Sequence, residues 1–152
     1  MRLFGALLLV ACTLSSARAA DISVVGNWSE VINSSDLAAG AGSDLRSPIE
    51  SGTAQATLDI SATGGASWVV KVSKSDINWP AGVSIAVRRT SDGTGAGTLS
   101  GGTGYLTVTG TEQTLFSGSD DRSGIQLQLR TESLSIGDAP GSYGATLTYR
   151  IE

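Results

Sequence analysis

Histidine is absent from this sequence, and cysteine occurs once, at Cys12. The first absence removes the usual general base near neutral pH and the commonest metal ligand. Together the two exclude serine and cysteine triads, zinc sites, and haem or iron–sulfur ligation. A lone cysteine also excludes an internal disulfide framework, so stability has to come from strand pairing and packing. Lysine is scarce, present only as Lys71 and Lys74. Ten basic residues face fourteen acidic ones, a formal net charge of −4. An acidic chain repels phosphate backbones and anionic lipid, which argues against nucleic acid and membrane surfaces as partners. Only one long apolar run is present, and nothing after it is apolar enough to insert in a bilayer.

That run extends from Leu3 to Leu14, behind Met1-Arg2. A spanning helix needs about 20 apolar residues, and this run is shorter. It gives way to Ser15-Ser16-Ala17-Arg18-Ala19-Ala20, with the A-x-A spacing of a cleavage site at Ala17 and Ala19. A charged start, a short apolar stretch and a small-residue exit predict a secretory signal peptide over residues 1–19, cleaved near Ala19. The expected mature domain is 20–152, located in the periplasm, at the cell surface or outside the cell. A competing reading takes Leu9-Val10-Ala11-Cys12 as a lipobox with Cys12 lipidated. It leaves the A-x-A site without a purpose.

The mature part is rich in glycine, serine and threonine and alternates with period two. Ala54, Ala56, Leu58 and Ile60 are separated by polar residues, as are Ile125, Leu127 and Leu129. Similar runs hold Trp68, Val70 and Val72; Val83, Ile85 and Val87; and Leu106 and Val108. A last run holds Tyr143, Ala145, Leu147, Tyr149 and Ile151. Alternation over strand lengths means sheet with one apolar face. Gly64-Gly65, Pro80, Gly101-Gly102 and Pro140-Gly141 punctuate the runs. The fold class expected is all-β: an immunoglobulin-like antiparallel β-sandwich of about seven strands. In that fold Trp68 would fill the mid-core, and Tyr143 would bond back to the Asp138–Gly141 corner. Between Ser34 and Gly42 one short helical turn is expected. The segment Ile22, Val24, Gly26, Trp28 also alternates, detached from the next run. It pairs within its own domain, or it completes the sheet of a neighbour by strand exchange.

Few residues suggest a site. Gly93-Thr94-Gly95-Ala96-Gly97 lacks the strand–helix setting of a dinucleotide loop and reads as a low-complexity hairpin loop. Gly101-Gly102-Thr103-Gly104 lacks the aspartate of a calcium-binding repeat. Asp120-Asp121 lacks EF-hand spacing and sits beside Arg122. Asn27-Trp28-Ser29 and Asn33-Ser34-Ser35 match the glycosylation sequon. Trp79 lies in a polar loop before Pro80, either capping the core or offering a contact to a ligand or partner. No catalytic, metal or cofactor residue is assigned, and the chain is expected not to be an enzyme.

The closing stretch, Pro140-Gly141-Ser142-Tyr143-Gly144-Ala145-Thr146-Leu147-Thr148-Tyr149-Arg150-Ile151, resembles the last strand of bacterial secreted sandwich proteins of the spore-coat-U and fimbrial-subunit type. The resemblance covers about a dozen residues. The remainder departs from those families, whose members often carry cysteines in the mature chain. It implies a surface or appendage role. The expected function is therefore a non-catalytic secreted or cell-surface structural protein, a self-assembling coat or appendage subunit whose partners are itself or other surface proteins. The alternative is a monomeric module that binds glycan or protein.

Overall fold

Period-two alternation becomes burial in the computed structural model, which describes residues 20–152. The signal-peptide and Cys12 readings lie outside those residues. Ten strands occur among them: β1 Asp21–Gly26, β2 Ile49–Glu50, β3 Ala56–Ser61, β4 Ser67–Ile77, β5 Ser84–Arg89, β6 Leu99–Ser100, β7 Leu106–Thr107, β8 Gln113–Ser119, β9 Arg122–Glu132 and β10 Gly144–Ile151. The expected helical turn is a single 3₁₀ turn, Ser34–Asp36, capped by the Asn33 side chain on the Ser35 N–H. No helix of the described residues is long and apolar enough to cross a membrane.

The strands form two antiparallel sheets. One runs β1-β3-β9-β5-β7, with β2 also pairing with β9; the other runs β10-β4-β8-β6. Leu58 and Ile60 of β3, Ile85 and Val87 of β5, and Ile125 and Leu127 of β9 point from the first sheet into a shared core. Trp68, Val70 and Val72 of β4 and Leu115 and Phe116 of β8 meet them from the second. Burying each such side chain contributes about 1.5–3 kcal/mol. The polar residues between them lie on the opposite faces of the strands, where Arg88 pairs with the buried Gln128 and Arg130 with Glu132.

Trp68 occupies the core position expected of it. It is 3% exposed, meets Phe116 edge-on at 6.1 Å and 77°, and donates its indole N–H to the Asp120 carbonyl at 2.9 Å. Its ring lies on Gly118, where a Cβ would come within 2.6 Å of it. β8 is a strand that the alternation does not announce. Its apolar residues, Leu115 and Phe116, are adjacent in sequence, and both are buried. A register shift in the β4–β8 pairing, between Val70 and Lys71, inserts Leu115 as an extra residue and breaks the period.

Candidate functional site

The two sheets end unequally on their two sides. On one side the edges are β6 and β7, each two residues long. On the other they are β1 and β10. Among the described residues β1 pairs only with β3, and β10 only with β4. Natural sheets blunt their edges with short strands, bulges, proline or lysine. β10 has none of these. It keeps unbroken register with β4 over eight pairs, Gly144↔Ile77 to Ile151↔Val70, and its one charge is Arg150.

Between β1 and β10 lies a groove of about 1360 Å³. Ile22 and Val24 of β1 line one wall, and Leu147 and Tyr149 of β10 the other. Ile85 and Leu129 line it from between the sheets. The groove is uncovered: Val24 is 37% exposed, Ile32 39% and Ile136 57%. Apolar side chains of this size are normally removed from water, so a contiguous exposed set marks an interaction surface.

Loop residues hold the rim. The Asp44 carboxylate accepts the Ile136 N–H at 2.9 Å, the Leu45 N–H at 2.8 Å and the Ser135 hydroxyl at 3.3 Å. These bonds, that of Ile136 foremost, hold its carboxyl below the usual range. They tie the loop before β2 to the loop before β10, which bring Leu45 and Leu134 to the groove. At the start of β10 the Tyr143 hydroxyl donates to the Ala139 carbonyl, the corner bond anticipated from sequence.

Trp79 lies in the groove lining, half-buried against the core. Its indole N–H donates to the Val83 carbonyl at 2.7 Å, and the Lys74 ammonium stands 5.7 Å from its ring centre. It caps the core and also borders the groove.

The segment read as Ile22, Val24, Gly26, Trp28 is divided. Residues 21–26 pair with β3 in their own domain, from Asp21↔Ser61 to Gly26↔Ala56. Gly26 closes the strand at φ +146°, and a Cβ there would lie 2.6 Å from the Ala56 Cα. This close approach requires glycine. Trp28 follows in irregular chain, outside the strand that the alternation suggested, though it still borders the groove.

The other sequence candidates resolve into structure. Asp121 accepts from the Thr63 N–H at 2.9 Å and the Thr63 hydroxyl at 2.7 Å, while Asp120, at φ +59°, makes the tight turn between β8 and β9. Among the described residues no group of three or more potential metal ligands comes together. Gly93, Gly95 and Gly97 lie flat against the backbone of residues 119–125, too close for any Cβ. Their spacing serves close backbone approach within the chain itself. Sequence reasoning missed the groove, because alternation locates strands without giving their neighbours. A visible signal was the uncharged run Gly144–Tyr149. No family model, curated protein or solved structure matches the chain.

Proposed function

We propose that the protein is a non-catalytic structural subunit of a secreted or cell-surface assembly, joined to its neighbour by an extended strand laid in the β1–β10 groove. The observation that carries this reading is the unprotected β10 edge beside an uncovered apolar groove. An extended segment placed there gains main-chain hydrogen bonds from the edge and burial for its alternate side chains, the physics of β-augmentation. The strand order supports an immunoglobulin-like reading of the sandwich. In that fold sheets ABED and CFG face each other. On that reading β1-β3-β9-β5 would correspond to A-B-E-D, and β4 and β10 to C and F. The place of G, beside F, falls at the groove. The likeness of the closing stretch to spore-coat-U and fimbrial subunits points the same way.

The alternative, a glycan- or protein-binding module built on Trp79, has less support. Its indole N–H is already used by Val83, and Lys74 approaches its ring.

A neutral synthetic peptide of alternating threonine and valine, as long as the eight residues of β10, tests the reading. It is expected to raise the melting temperature of the wild type, by mass action on the folded state. Val24→Glu and Leu147→Glu, which place a charge in the groove, should fold and lose that rise. A peptide that fails to stabilise the wild type, or that stabilises both variants equally, contradicts the reading.

A further inference from the structure

Strand addition alone does not say which strand enters, but the charges around the groove do. Two charged side chains line it, Glu30 and Asp138, and both are acidic. Among the described residues neither is ion-paired. Asp138 accepts one bond, from the Ser135 N–H at 2.9 Å, and Glu30 is exposed. Lys74, which stands by the Trp79 ring, and Arg46, next to Leu45 in sequence, are engaged elsewhere. Lys74 holds both oxygens of Asp76 at 2.8 Å, and Arg46 donates to the Ser35 carbonyl. The apolar floor and the acidic rim therefore face an incoming chain together.

We infer that the groove takes a strand from a different polypeptide, alternately apolar and carrying basic residues at the end that meets Glu30 and Asp138, and that these two carboxylates select it by charge. This rests on the strand-accepting reading above. The chain's own candidate, Asp21 to Ile32, is unsuited on two grounds. It carries Asp21 and Glu30 and no basic residue, so a second copy would bring like charge to an acidic rim. Its strand portion is also committed at home, in six pairs with β3 and in the glycine contact at Gly26. Charge at the rim of an interface acts mainly on specificity and approach, while the apolar floor supplies affinity.

Four fluorophore-labelled peptides decide the matter by anisotropy. Three share one alternating threonine–valine centre and are flanked by lysine, by glutamine or by glutamate; the fourth is Asp21–Ile32. The lysine-flanked peptide is expected to bind about three- to tenfold tighter than the glutamate-flanked one at low salt. That preference should shrink at high salt, because exposed charges are screened. It should vanish in the double variant Glu30→Gln, Asp138→Asn, which keeps an acceptor for the Ser135 N–H. Equal binding of the three flanked peptides overturns charge selection and leaves strand acceptance standing. Tightest binding by Asp21–Ile32 overturns the proposal in favour of donation between identical copies. Failure of all four to bind overturns the proposal together with the reading beneath it.

Discussion

Single residues in this protein are constrained mostly by what approaches them from far along the chain. Gly118 has no side chain because the Trp68 ring and the Thr98 carbonyl fill the space, both within 2.6 Å of where a Cβ would sit. Gly118→Ala should therefore destabilise by about 1–3 kcal/mol, as overpacking does. A lower urea midpoint with an unchanged slope would show it. Asp59 and Asp121 act as acceptors for turns: Asp59 takes the Ser123 hydroxyl and the Gly124 N–H, both at 2.7 Å. The Ser123 hydroxyl foremost lowers the Asp59 carboxyl, and the Thr63 hydroxyl foremost lowers that of Asp121. A carboxyl lowered in the folded state adds stability above its unfolded value, near 3.8. That stability is lost as pH falls through the lower folded value. Asp59→Asn and Asp121→Asn should flatten the decline of melting temperature below about pH 4. An unaltered decline in both variants would deny these bonds their role. At this scale the sequence was legible for Trp68, an apolar residue in register, and for Tyr143, whose partner Ala139 is four residues away. It was not legible for Asp59, whose partner Ser123 lies 64 residues on and is brought close only by the β3–β9 pairing.

At the scale of elements, alternation gives a strand and its inward face, and it worked where the ladder is regular. β3, β4, β5, β9 and β10 coincide with alternating runs, and their inward residues are those anticipated. It failed at β8, where the bulge at Leu115 sets two apolar residues side by side. It also gave no sign of β2, whose two residues pair with β9 without any pattern of their own. The N-terminal run was ambiguous by nature, since one face of alternation fits a strand at home and a strand given away alike. In this chain the run pairs with β3, and Gly26 lies against Ala56. Deleting Asp21 to Ile32 should accordingly lower the melting temperature or unfold the protein, because β3 loses its outer neighbour and the core loses the packing of Ile22. Gly26→Val should do so to a lesser degree, through a clash with Ala56 in a backbone conformation that valine rarely adopts. A deletion protein that stays folded and captures the Asp21–Ile32 peptide would show that β1 is exchanged.

For the whole molecule, what matters is the contrast between its two sides. One closes on two-residue strands, β6 and β7, and the other leaves β1 and β10 open around an apolar groove. Alternation said that the chain would be built from sheet; it could not say which edge would be left unguarded, because that depends on strand order. Amide hydrogen exchange along β10 tests the open edge most directly. On an antiparallel edge strand, N–H groups point by turns to the paired neighbour and to the open side. In the isolated protein, the β10 amides bonded to β4 should exchange slowly and those between them fast. Saturation with the neutral strand peptide should slow the fast set alone. Uniformly slow exchange along β10 in the isolated protein, or fast amides that the bound peptide leaves fast, would contradict a strand-accepting groove.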